Sequence, residues 1–154
     1  MSVTSGSSNQ LADNFKEQLT GKLSEDVVRR TVESLEKITE SQLKAATAHA
    51  ATGALASLIF YVKGQCTIRG GKSFNGSAYG ASSPGGGALF GDVYLAGAST
   101  LDQLYRQTTD WAFTAEIAYT AFYFFDSNGN LLGHFQAGSV STVAGSGTGS
   151  GSWS

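Results

Sequence analysis

Two histidines, one cysteine and a thin scatter of carboxylates are the groups in this 154-residue chain that could do chemistry. Asp126, His134 and Ser139 supply the residue types of an orienting acid, a base and a nucleophile. A hydrolase built on such a trio presents its serine on a sharp, glycine-flanked elbow between strand and helix. Ser139 lies in a strand-like run with no such elbow, so the three read as ordinary strand and turn residues. His49 sits in an Ala-rich stretch, and neither histidine has a second His, Cys or carboxylate at ligand spacing, so no metal is expected. Cys66 is the single cysteine, which excludes an internal disulfide and a thiolate cage; it reads as a small buried apolar group. Asp92, Asp102, Asp110 and Glu116 are scattered acids, better explained as turn caps and strand-end hydrogen-bonding groups than as an acid–base pair. Gly85-Gly-Gly lacks the lysine and the following helix of a phosphate loop. Asn75-Gly-Ser is a glycosylation sequon by letter only. The expectation is a protein without catalytic residues, cofactor or metal, which works by binding.

The elements that would position these groups fall into two regions. Residues 1–50 hold six Lys and Arg and seven Asp and Glu, leaving only four and five for the other 104 positions. A charged head thus precedes a nearly uncharged body rich in Gly, Ser, Thr and aromatics. The net charge of -2 argues against nucleic acid as a partner, since such binders carry a basic surplus. The opening Met-Ser-Val-Thr-Ser-Gly-Ser-Ser has neither the basic nor the apolar segment of a secretory signal. Export by a route without a signal peptide, or a chain given without its leader, is expected, with a cytoplasmic location left open. No apolar run reaches transmembrane length.

In the head, residues 1–23 are expected to be flexible or partly helical, with a short amphipathic turn through Leu11, Phe15 and Leu19 ending at Gly21. An amphipathic helix is predicted over 24–52. Ser24 can cap its N-terminus, Glu25 and Asp26 complement the dipole, and Leu23 with Val28 can form a hydrophobic staple. Acid-before-base pairs recur at four-residue spacing: Glu25 with Arg29, Asp26 with Arg30, Glu33 with Lys37, Glu40 with Lys44. Val28, Val32, Leu35 and Ile38 make the apolar stripe. Such a helix either packs that stripe on the body or projects to meet a partner, giving a monomer or a weak helix-mediated oligomer. Thr31, Thr39 and Gln42 interrupt it too often for a stable coiled coil.

Residues 53–154 change to a period of two. Leu58, Phe60, Val62, Cys66 and Ile68 alternate with their neighbours and read as one strand kinked at Gly64. A Gly-rich strand over 73–81 leads to a turn around Pro84, and 88–95 alternates again. A short helix at 101–105 is capped by Ser99 or Thr100. In 111–126, Trp111, Phe113, Ala115, Ile117, Tyr119, Ala121, Tyr123 and Phe125 share one parity. Phe122 and Phe124 break the other face, and the length requires a bend or split at 117–119. Asp126-Ser-Asn-Gly-Asn is a hairpin, with Gly129 at positive φ. The Gly-Ser tail ends in Trp153, an indole too large to leave in water, so 145–154 is predicted to pair as the last strand. Seven or eight short strands with glycines at interior positions predict a mainly β fold: a closed antiparallel β-barrel with an N-terminal α-helical extension.

With these residues in view, the body resembles the virulence-associated protein (Vap) family of pathogenic actinobacteria, of Rhodococcus type. The matching stretches are Tyr79-Gly-Ala, Gly85-Gly-Gly, Gly91-Asp-Val-Tyr-Leu, Leu101-Asp-Gln-Leu-Tyr and 119–126. Asn130-Leu-Leu-Gly, Phe135-Gln-Ala-Gly-Ser-Val-Ser and the ending Gly-Ser-Trp-Ser complete the series. The resemblance implies a compact eight-stranded barrel with a small, filled interior, no known catalytic residues and a variable N-terminal region. It further implies a virulence-associated role, in a family linked to survival within host phagocytes and, for one member, to disturbed endolysosomal membranes. The missing signal peptide and the charged helical head depart from the family's pattern.

Tyr61, Tyr79, Tyr94, Tyr105, Phe122 and Phe124 are the candidate interaction surface, because a small barrel interior cannot hold every aromatic in the chain. The functional expectation is a non-enzymatic effector-type barrel acting at host membrane or protein surfaces. The alternatives are a lipocalin-type barrel with a small-ligand cavity, and a passive barrel carried by a targeting or export helix.

Overall fold

Period-two runs joined by Gly, Asn and Pro turns pair most readily with their sequence neighbours, and a sheet built that way leaves two edges unless it closes. Here it closes. The computed structural model describes residues 12–37, 48–97, 99–116, 119–139 and 142–154. The strands are β1 (His49–Ser57), β2 (Tyr61–Ile68), β3 (Ser73–Ser82), β4 (Gly85–Leu95), β5 (Asp110–Glu116), β6 (Tyr119–Phe125), β7 (Leu131–Ser139) and β8 (Gly145–Trp153). They form one closed barrel in the order β1-β2-β3-β8-β5-β6-β7-β4, every neighbour antiparallel. The Gly-Ser tail is thus the strand that joins β3 to β5, and Trp153 is buried.

The barrel is filled by rings. Trp111, Phe74, Phe113, Phe122, Phe124 and Phe135 are fully buried and meet largely edge to face, with Phe74 4.9 Å from Phe124 and Trp111 5.0 Å from Phe122. The Trp111 indole N–H donates to the Ser77 carbonyl at 3.2 Å. Room for the rings comes from glycine. A β-carbon at Gly64 would collide with the Trp111 indole, and one at Gly76 would lie 2.7 Å from Phe74. Gly64 is therefore the site of a close approach rather than the predicted kink. A helix α3 (Leu101–Gln107), begun by a capping box between Thr100 and Gln103, covers one end of the barrel with Leu104 in the core.

The head docks on the outside. Residues 12–19 form α1 and Glu25–Glu36 form α2, with Ser24 capping α2 as predicted and Gly21 at a φ of 89° between them. Ala12, Phe15, Leu19, Val28 and Leu35 pack on Ala112, Ala121, Tyr123 and Phe125 of β5 and β6. The two alanines let the helices approach, and Phe15 meets Tyr123 edge-on at 4.7 Å. Polar ties fix the docking. Lys22 Nζ donates to Ser146 Oγ at 2.6 Å, and Arg30 donates to Asn130 Oδ1 at 2.6 Å and to the Asn128 carbonyl at 2.9 Å. Asp26 and Arg30 pair as expected, whereas Arg29 reaches Asp26 and Glu33.

Three expectations change. The helix predicted over 24–52 is seen as α2 only; its segment 38–47 lies outside the described residues, and His49 already begins a strand. The barrel accordingly begins at His49 rather than at 53. Ala-rich 49–57 has high helix propensity, but ladders with β2 and β4 on both sides override it. The strand read from Leu58 is two strands' junction: the chain turns at 58–60. Finally, the expected split of 111–126 gives the β5–β6 hairpin, and that pairing reverses the single parity read along the run, so even-numbered Phe122 and Phe124 point into the barrel and Tyr123 lies beneath the head.

Candidate functional site

The groups that could have made a hydrolytic site are not brought together. Asp126 is the hinge of the β6–β7 hairpin, accepting from the backbone N–H groups of Asn128 and Asn130 at 2.9 Å each. Against a desolvation effect that raises it, those hydrogen bonds and nearby Arg30 hold its carboxyl below the ordinary value. His134 and Ser139 are five positions apart on β7, roughly 16 Å along an extended strand. Among the described residues no three His, Cys, Asp or Glu side chains converge as a metal site would require. Cys66 is fully buried, and burial pushes its thiol well above the usual range.

His134 is a histidine in an unusual place. It is wholly buried on the outer face of β7, across from Tyr123 and stacked on Tyr94 at 5.5 Å. Tyr119 donates to Gln136 Oε1 at 3.4 Å, which turns the Gln136 amide N–H toward His134 Nδ1 at 3.1 Å. The ring is thus a neutral acceptor, and burial lowers its pKa to about 4. Its Nε2 has no hydrogen-bond partner among the described residues. Because the folded pKa lies below the unfolded value of about 6.5, the unfolded chain binds the extra proton. Stability is then full above pH 6.5 and falls between about pH 6.5 and 4, by on the order of 3 kcal/mol. Urea unfolding of wild type and His134→Phe at pH 7, 5.5 and 4.5 checks this: the variant should lose markedly less stability on acidification.

Of the six aromatics expected at the surface, Phe122 and Phe124 are core residues and take no part in one. Tyr105, on α3, packs against Trp153 at 5.4 Å, and Tyr94 is half-buried beside His134. Tyr61 and Tyr79 do meet on the outer face, ring centroids 5.6 Å apart, with Tyr61 hydrogen-bonded to Ser77.

Beside this pair stands a feature the sequence reading missed. The β1–β2 turn holds Leu58, Ile59 and Phe60, exposed by 78%, 44% and 70%, next to Tyr79 at 70%. Ile59 has a φ of 79°, the only positive value at a described non-glycine residue, and Phe60 N donates to the Leu58 carbonyl at 3.0 Å across it. That is a tight three-residue γ-turn, a conformation a β-branched residue adopts only under strain. Alternation alone hid it. A hairpin normally announces itself with Gly, Asn or Asp, and none stands here; the available signal was three consecutive large apolar residues, which no half-buried strand needs.

A profile of the family described as Rhodococcus equi virulence-associated protein matches residues 3–154, so the head falls within the family's span. Among solved structures, the chain is similar to the virulence-associated protein VapB from the intracellular pathogen Rhodococcus equi. The identity is 38% and the TM-score 0.64, over 70% of this chain and 96% of that one. It is similar also to VapD from the same organism, at 29% identity and a TM-score of 0.66, over 70% and 97% of the two chains. No curated protein sequence matches it significantly.

Proposed function

The chain belongs to the Rhodococcus equi virulence-associated protein family, and from that membership we propose that it is a non-enzymatic effector that acts by binding host membrane or protein surfaces through the outside of its barrel. The observation that carries this reading is the filled interior. Rings from β3, β5, β6 and β7 meet across the barrel axis, and glycines give way to them in the wall, which weighs against a lipocalin-type ligand cavity there. The docking of α2 weighs against a passive barrel led by a free targeting helix, since the apolar stripe that such a helix would present is spent on β5 and β6. Purified full-length protein, mixed with membranes and with soluble extract from phagocytes, should float with the membranes in a density gradient or enter a larger complex in the extract. Protein that stays monomeric in both would overturn the reading.

A further inference from the structure

We propose that the β1–β2 turn is a lipid-interface anchor, which enters the headgroup–acyl boundary of a bilayer with Leu58, Ile59 and Phe60 leading and Tyr61 and Tyr79 at the headgroup level. The inference rests on the surface-binding reading above and names the surface.

Three observations on the turn favour lipid over a protein groove. The first is exposure: the three side chains stand in a row at the barrel end opposite α3, and the most exposed of them is a leucine. The second is the backbone. Leu58 N donates to the Tyr61 carbonyl at 2.8 Å, Ile59 N to Ser57 Oγ at 3.1 Å and Phe60 N to the Leu58 carbonyl. The Ile59 carbonyl accepts from Ser82 N at 3.0 Å and the Phe60 carbonyl from Gly80 N at 3.4 Å. Every backbone polar group of the three residues is thus paired within the protein. That is the condition for entering a medium that offers no hydrogen bonds, and a turn bathed in water has no need of it. The third is charge. No Asp, Glu, Lys, Arg or His occurs in 50–62 or in 73–91, the segments that form the turn and the strand ends around it. The nearest cations are Lys63, two residues beyond Tyr61 on β2, and Lys22, tied to Ser146 on β8; neither stands in the turn, so the tip itself enters lipid without desolvating a charge. Aromatic residues beside an apolar tip are the arrangement that interfacial segments use to set depth.

The strain at Ile59 points the same way. Glycine would make this turn without cost, so the isoleucine is retained at the expense of the fold for what its side chain meets.

The test uses the full chain and vesicles of phosphatidylcholine alone. Phe60→Trp places a reporter at the tip; the native Trp111 and Trp153 are buried, out of the quencher's reach, and add a constant background. Phe90→Trp, at an exposed position on the β4 wall, is the control. Phosphatidylcholine brominated on its acyl chains should quench Phe60→Trp and leave Phe90→Trp unchanged, and raising the salt from 0.05 to ~0.5 M should not weaken binding. A Leu58→Ser, Phe60→Ser double variant should partition at least about tenfold less while melting as wild type does, because neither side chain supports the core. Ile59→Gly should bind more weakly yet melt no lower than wild type. Equal quenching at both positions, no binding to neutral vesicles, or binding confined to anionic vesicles and lost in salt would each overturn the anchor. Flotation with phagocyte membranes without any affinity for pure lipid would also overturn it, in favour of a membrane protein, while leaving the surface-binding function standing.

Discussion

Gly64→Val is expected to abolish folding, and Gly64→Ala to destabilise the barrel by about 3 kcal/mol, the upper range for an overpacked core. The direction is the informative part. Where space allows, replacing a strand glycine with alanine stabilises a protein slightly, because the unfolded chain loses freedom. At Gly64 the new methyl would fall on the six-membered ring of Trp111, and that ring has nowhere to go. Its neighbours Phe74, Phe113 and Phe122 lie 5.5, 5.7 and 5.0 Å away, and its N–H is tied to Ser77. Gly138 is the matched control: it lies exposed on the same barrel, and a β-carbon there meets nothing within 4 Å. Gly138→Ala should be neutral or gain a few tenths of a kcal/mol. Trp111→Phe removes the atoms in conflict, so combined with Gly64→Ala it should recover part of the loss, and the coupling follows from a double-mutant cycle in urea. A Gly64→Ala protein as stable as wild type would show that the interior is looser than the ring contacts imply.

Removing 145–154 should have the larger effect. The deletion takes away a strand with neighbours on both sides, along with Trp153, which lies among Phe74, Tyr105 and Phe124 at 5.1 to 5.6 Å. It also takes away Ser146, where Lys22 and the Gln18 carbonyl tie the head to the wall. What remains would be an open sheet with β3 and β5 as unpaired edges and an aromatic core facing solvent, the state most prone to edge-to-edge association. The truncated protein is expected to show no cooperative thermal transition by near-ultraviolet circular dichroism, to bind apolar dye and to aggregate. Trp153→Ala alone should fold and lose about 3 kcal/mol, the low end for emptying a large aromatic site. Unchanged melting of the truncated chain would show that the barrel closes without β8.

The barrel was legible where composition and pairing agree. The Asp126-to-Asn130 hairpin, the capped helix after Thr100 and the tail ending in Trp153 each carry a local reason for their conformation, and each forms as predicted. His49 to Ser57 was not legible, because alanines favour a helix until two partner strands are present, and those partners lie elsewhere in the sequence. The candidate surface was read only in part. Tyr61 and Tyr79 do lie together outside, but Phe122 and Phe124 turned inward, since the split expected at 117–119 takes the form of a hairpin that shifts every later residue to the other face. The turn at Leu58, Ile59 and Phe60 escaped for the opposite reason: it breaks local rules of turn chemistry, and such a breach becomes visible only when the backbone is seen.

The place of β8 has a further consequence, for how the protein is made. The strand that closes the barrel fills the gap between β3 and β5, the two free edges of a sheet built earlier. A nascent chain emerging from the ribosome can form the β1–β4 and β5–β7 segments in turn, yet the two cannot seal until Trp153 has been synthesised. Until then the chain is an unfinished sheet, within reach of chaperones. Closure, and with it the rigid presentation of the apolar tip, waits for β8.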